Sequence, residues 1–211
     1  RTAEELIASI KEVKRQVRVP VSTGEIWYNW LKYPQLVKNV DFIAAHILPY
    51  WEGVPADKVV EYTWTRLDQL KKAYPGKRIV IAEFGWPSQG YNRNAAVPSA
   101  LSQAEVLRDF LAEAERRGVE YNIVEAFDQT WKTNEGSVGA YWGLLDNDRN
   151  LKFPLTGMIE KPGLTWVWGV SLALGALMTL AGLWGRRRVT LAHALVFAIA
   201  ANAMAAGIAT A

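Results

Sequence analysis

The sequence predicts an α/β fold: the C-terminal half of a (β/α)8 TIM barrel, followed by transmembrane α-helices. Two observations carry the barrel and one carries the helices. Near-continuous apolar strands alternate with amphipathic helices, the pattern of a parallel sheet covered on both faces. Polar and aromatic residues gather just past the C-terminal ends of those strands, the edge at which α/β folds bind ligands. From residue 164 onward there is no Asp or Glu, and the only Lys or Arg residues are Arg186, Arg187 and Arg188.

The elements follow in order. Residues 2–17 place Leu6, Ile7, Ile10, Val13 and Val17 at helical spacing, and Thr2 with Glu5 has the spacing of a capping box. Residues 19–22 are extended and run into Thr23, Gly24 and Glu25. Residues 41–48 (DFIAAHIL) form a strand with His46 near its end. Residues 57–73 are helical, with Val59, Val60, Trp64, Leu67 and Leu70 on one face. The third strand is residues 78–83 (RIVIAE), followed by a loop holding Gly85, Pro87 and Gly90. Ser102 and Glu105 have capping-box spacing ahead of a helix that ends near Arg117, and residues 122–127 (NIVEAF) are the fourth strand. Four βα units are half of the eight a barrel needs. Four more are therefore expected ahead of Arg1.

Residues 164–184 carry no charge over a length of about 31 Å, close to the hydrocarbon thickness of a bilayer. Trp166, Trp168 and Trp184 lie near its ends, where amphipathic rings favour the headgroup layer. A second, Ala-rich run covers residues 191–211. The expected division is a barrel module over residues 1–156, a linker over 157–163, a spanning helix over 164–184, a basic loop over 185–190 and a second helix over 191–211. Three arginines in so short a loop place it in the cytoplasm and the barrel on the outer side.

Charge and composition exclude several functions. Of 24 Lys and Arg, three sit in that loop, leaving 21 against 21 Asp and Glu in the first 163 residues. A basic face for nucleic acid has no support. There is no cysteine and there are two histidines, so thiolate and multi-histidine metal sites are not expected. No glycine-rich phosphate or dinucleotide loop follows any strand, and Ser88 lies in no nucleophile elbow. No cofactor is expected.

What remains at the strand ends is Glu25 and Trp27; His46, Tyr50 and Trp51; Glu83 and Trp86; Asp128 and Trp131. Carboxylates ringed by flat aromatic side chains suit glycoside chemistry. One carboxyl attacks while another protonates the leaving oxygen, and rings cover the C–H faces of sugars. A lone strand-end glutamate has a plainer reading as a helix cap or ion-pair member. Glu25 and Glu83 together, with Trp27, Trp30, Trp51, Trp86 and Trp131 nearby, favour a site. His46 reads equally as a satisfied core histidine, and Trp86 as a core ring between Gly85 and Pro87.

Residues 81–90, IAEFGWPSQG, resemble the E-x-G-W-P-S nucleophile motif of glycoside hydrolase family 17, the β-1,3-glucanase family. ILPYW after His46 resembles its sixth-strand N-x-Y-P-Y segment, with His46 where Asn is frequent. FDQTWK resembles its F-x-E-x-x-K segment, with Gln129 in the acidic place and Lys132 retained. The resemblance spans roughly residues 2–153. It implies a retaining glycosidase or transglycosylase with Glu83 as nucleophile, acting on β-1,3-glucan. It also implies substrate binding by Glu25, Trp27, His46, Tyr50, Trp51, Trp86, Asp128, Gln129, Trp131 and Lys132. The family's acid/base lies in a G-N-E motif, which this sequence does not contain. Glu25, on the fifth strand of that scheme, does not inherit the role, and the acid/base is expected upstream of Arg1. Bacterial members that join such a module to membrane helices imply an inner (plasma) membrane location, with the barrel periplasmic or extracellular. They also imply partners in the lipid bilayer and a fused or associated glucosyltransferase. A module that binds and guides glucan without cleaving it is the alternative.

Overall fold

The computed structural model describes residues 2–159, 164–184 and 190–209. It divides into two units, residues 1–159 and 160–211. In the first, helix α1 (Ala3–Gln16) precedes β1 (Gly24–Ile26), then the short helices α2 (Trp27–Lys32) and α3 (Pro34–Val37) lead to β2 (Ile43–His46). Helix α4 (Val59–Ala73), β3 (Ile79–Phe84), α5 (Ala100–Arg117) and β4 (Tyr121–Ile123) complete the alternation. The four strands pair in parallel in the order β1-β2-β3-β4. An α/β fold with one parallel sheet is the architecture expected, and sequential parallel order is that of part of a (β/α)8 barrel.

Local chemistry explains most boundaries. The capping box on α1 is complete: the Thr2 hydroxyl accepts from the Glu5 N–H, and the Glu5 carboxylate accepts from the Thr2 N–H. Ala3 and Ile10 are buried, but Val13 is 45% exposed, so only the N-terminal part of that apolar face packs. The α5 cap differs from expectation. Ser99 closes the helix by accepting from the Ser102 N–H at 3.0 Å, three residues before the position the Ser102–Glu105 spacing indicated. Ser102 is instead inside the first turn, where its hydroxyl meets Trp86.

The sheet's helix-facing side is dry. Phe84 of β3 stacks on Phe110 of α5 at 3.6 Å between ring centroids, and Phe110 stacks on Trp64 of α4 at 5.3 Å. Ile43, Ala45 and Ile81 are fully buried on the same side. Apolar burial of this kind contributes roughly 1.5–3 kcal/mol per large side chain.

Register decides which side chains face the other way. Ile43 to Ala45 pair in step with Ile79 to Ile81, but His46 pairs with Glu83, one residue ahead. Against β4 the same stretch of β3 again holds an extra residue, since Ile81 pairs with Tyr121 and Phe84 with Ile123. A bulged residue re-aims the side chains beyond it. Side chains alternate along a strand, so an unbroken β3 would set Glu83 on the helix side with Ile81. The bulge moves it to the face shared by Gly24, Ile26 and His46.

β4 ends earlier than the 122–127 stretch predicted. Val124 N–H still reaches the Phe84 carbonyl, but Glu125 N–H bonds the Trp142 carbonyl, which draws the chain off the sheet.

In the second unit, α6 (Leu164–Leu183) has 20 residues, about 30 Å at helical rise. Its Trp166–Leu183 window has a mean hydropathy of 1.7, long and apolar enough to cross a bilayer. Trp166, Trp168 and Trp184 are all exposed. Helix α7 (Leu191–Ala209) packs on α6, with Asn202 against Gly175 and Phe197 against Gly182. Arg186–Arg188 lie outside the described residues.

Candidate active site

At the C-terminal ends of β1, β2 and β3 the bulged face opens into a cleft of about 450 Å³. Its floor is Ile26, His46 and Glu83, one residue from each strand. His46 Nδ1 lies 3.1 Å from Glu83 Oε2. Gly24 lies beside the imidazole, and a Cβ there would fall 2.8 Å from Cε1 and closer still to Nε2. A glycine is required for the ring to sit where it does. The Glu83 side chain is 38% exposed, open to a ligand.

Aromatic and charged groups form the walls. Trp51 stacks on Trp142 at 5.8 Å and 25°. Arg93 lies over Trp51 at 5.6 Å and donates to the Trp51 carbonyl. Tyr28 and Glu52 complete the rim. Glu52 accepts from Trp27 Nε1 at 3.0 Å and from the Tyr62 hydroxyl, while Arg66 covers both rings. Trp27 thus meets the cleft through Glu52. A smaller cavity of about 110 Å³ adjoins, sharing Trp51 and Glu83 and adding Lys132, Glu135 and Trp142. Lys132 Nζ stands 3.7 Å from both Glu125 and Glu135. Burial pushes the Glu125 carboxyl up from its ordinary range, and the nearby Lys132 charge opposes it. Gln129 donates to Glu125 and so serves this cluster.

The structure therefore brings together Glu83, His46, Trp51 and Lys132, with Trp27 and Gln129 one contact behind. The other predicted positions lie elsewhere. Glu25 pairs in register with Ala45, on the helix-facing side of β1, and accepts from Asn29 of α2 at 2.9 Å. Trp86 is fully buried, its Nε1 donating to Ser102 at 3.0 Å and its carbonyl accepting from Gln103. Trp30 is equally buried and donates to the Ala44 carbonyl. Tyr50 is buried beneath Trp51 and Trp142, edge-on to both, and donates to the Tyr91 carbonyl at 2.6 Å. Burial pushes its hydroxyl up to about 12. Asp128 is buried and ion-paired to Lys152 at 2.9 Å. Trp131 is 66% exposed and lines neither cavity.

The E-x-G-W-P-S stretch now reads physically. Glu83 faces the cleft. Gly85 passes so close to the Val124 carbonyl and the Trp142 ring that no Cβ fits. Trp86 fills the core against α5, and Ser88 accepts from Lys152 Nζ at 2.7 Å, fixing the loop. Of the motif, Glu83 faces the cleft, while Gly85, Trp86 and Ser88 fix the loop behind it.

A family model described as the BtgE/BtgC glycoside hydrolase domain matches residues 1–143. The chain belongs to that family. The putative glucan endo-1,3-beta-glucosidase btgC of Aspergillus niger is 32% identical to it over 170 residues, covering 70% of this chain and 25% of the relative. Among solved structures, the glycoside hydrolase family 17 β-1,3-glucanosyltransferase of Rhizomucor miehei is 33% identical, with a TM-score of 0.65 over 77% of this chain and 57% of that one. An active-site mutant of that enzyme in complex with laminaritriose aligns at 32% identity and a TM-score of 0.66. This BtgE/BtgC-type chain spans about a quarter of the length of the Aspergillus btgC relatives it matches.

Trp51 is the tryptophan that lines the cleft of this BtgE/BtgC-type domain. Trp51→Ala is expected to weaken laminari-oligosaccharide binding by about 1–3 kcal/mol, the burial value of one desolvated ring. Trp131→Ala is expected to change it little. Calorimetric titration of both variants of the full-length protein measures the difference.

Proposed function

We propose that this chain forms the nucleophile-bearing part of a retaining glycosidase or transglycosylase acting on β-1,3-glucan. The observation that carries the reading is Glu83. It stands at a strand end, turned by the bulge into an open cleft beside a tryptophan wall. A Glu83 oxygen attacks the anomeric carbon, the glycosidic oxygen leaves with the bonding pair and is protonated by a second carboxyl, and a glycosyl-enzyme forms. Water or an acceptor sugar then displaces Glu83. The second carboxyl belongs, by resemblance, to a G-N-E motif, which this sequence does not contain. The relatives' named activities and the laminaritriose complex support β-1,3-glucan as the substrate class. Retention distinguishes this route from direct displacement by water. Proton NMR of freshly cleaved laminarin should show the β-anomer first, and initial release of the α-anomer would overturn the proposal.

The barrel module is tethered to a plasma membrane of bacterial type by α6. Its length, hydropathy and terminal tryptophans support this, and α7 is read as a second span. The arginine cluster 186–188 stays cytoplasmic, since a charge at mid-bilayer costs roughly 2.5–3.5 kcal/mol. The cleft then faces outward, where an associated glucosyltransferase would deliver polymer. A protease-sensitive tag in the loop 89–99 is expected to be cut in intact spheroplasts. Protection of the tag would place the cleft inside the cell and end the outward reading.

A further inference from the structure

We propose that His46 is the positioning residue for the Glu83 carboxylate, and that Gly24 is the seat that allows it to act. This rests on Glu83 being the nucleophile. His46 Nδ1 lies 3.1 Å from Glu83 Oε2. An ionised carboxylate only accepts, so a hydrogen on Nδ1 is what turns this 3.1 Å contact into a restraint. Among the described residues, no other side chain forms an ion pair with Glu83. The restraint falls on one oxygen, Oε2, the one that faces Nδ1, and leaves Oε1 to the substrate. Displacement at an anomeric carbon needs a lone pair aligned with the departing bond, and a carboxylate that rotates freely offers that alignment only part of the time. Holding Oε2 fixes the plane of the group and leaves Oε1 as the attacking atom.

Two backbone features set this contact. The β3 bulge turns Glu83 to the face of His46. Gly24, paired with Ala44 on the neighbouring strand, leaves open the space the imidazole fills. Any side chain at position 24 would push the ring off its place. Of the cleft's other charged groups, Glu52 is engaged by Trp27 and Tyr62, and Arg93 by the Trp51 carbonyl. Lys132, in the adjoining cavity, stands between Glu125 and Glu135. His46 is thus the group committed to Glu83.

The test isolates the attack step. The full-length protein is incubated with 2-deoxy-2-fluoro-β-laminaribiosyl fluoride. A Glu83 oxygen bonds to the anomeric carbon as the C–F bond breaks and fluoride leaves with the electron pair. Fluoride departs without a proton, so the rate does not draw on the second carboxyl. Peptide mass spectrometry locates the label. His46→Ala and Gly24→Ala are each expected to slow labelling at Glu83 about tenfold or more, the order set by loss of a charge-assisted hydrogen bond. The double variant is expected to be no slower than His46→Ala alone, because a side chain at 24 acts only by displacing the ring. Labelling at Glu83 with an unchanged rate in His46→Ala would overturn the proposal, as would additive losses in the double variant. A label on a different carboxylate would instead overturn Glu83 as the nucleophile.

Discussion

Glu83→Gln in the full-length protein is expected to lower turnover of β-1,3-glucan by several orders of magnitude, the scale on which removing a covalent nucleophile acts. The amide keeps the size and planarity of the carboxylate, and its oxygen can keep the 3.1 Å contact with His46 Nδ1. Neither the cleft nor the strand therefore needs to change. What is lost is the negative charge and the lone pair that closes on the anomeric carbon. Substrate affinity should survive, because Trp51 and the rim are untouched. The measurement is kcat and KM on laminari-oligosaccharides, with binding followed separately by calorimetry. A variant that kept a tenth of normal turnover would remove Glu83 from the mechanism.

The second large effect is on stability. Lys152 and Asp128 form a pair whose side chains are 11% and 9% exposed, and Asp128 also accepts from the Gly143 N–H at 2.9 Å. Burial lowers the Lys152 ammonium from its usual range, and the Asp128 carboxylate opposes that shift. Asp128→Ala removes this partner, strands a desolvated ammonium and frees the loop that Ser88 anchors through Lys152. The expected loss is about 3–5 kcal/mol in urea unfolding, as for other broken buried pairs. Replacing both residues with apolar side chains of similar volume should cost much less. Glucan affinity of the folded fraction should hold in each case. A normal unfolding midpoint with weakened affinity would return Asp128 to the ligand.

Much of this was legible from residue order. Alternating apolar strands and amphipathic helices gave the parallel sheet, and Thr2 with Glu5 gave the start of α1. Glu83, His46 and Trp51 stood out because catalytic and binding groups collect at strand ends. Glu25 stood out for the same reason and is on the opposite face. Side-chain parity along a strand of three residues is set by its pairing with Ala45, which sequence spacing does not contain. Trp51 and Trp86 are the same residue type just past neighbouring strands. Only the placement of Ser102, in the first turn of α5, tells that one is wall and the other core. Glu52, Arg93, Glu135 and Trp142 lie in loops, where no period marks them, and their roles follow from tertiary contacts alone. Ser99 lost to Ser102 because a Ser three residues before a Glu reads as a cap even when an earlier Ser closes the helix.

The one-residue excess in β3 has a consequence for how this protein can change. Substitutions at Ala82 alter a side chain but keep the count of peptide units, so Glu83 still turns toward the cleft. Adding one residue between Ile81 and Glu83, with a single bulge kept, puts the newcomer opposite His46 and sends the carboxylate to the side occupied by Phe110. The attacking group proposed here then leaves the cleft although no residue has been replaced. Loop lengths around this cleft can drift by several residues, but the reading frame of six residues in one strand cannot slip by one.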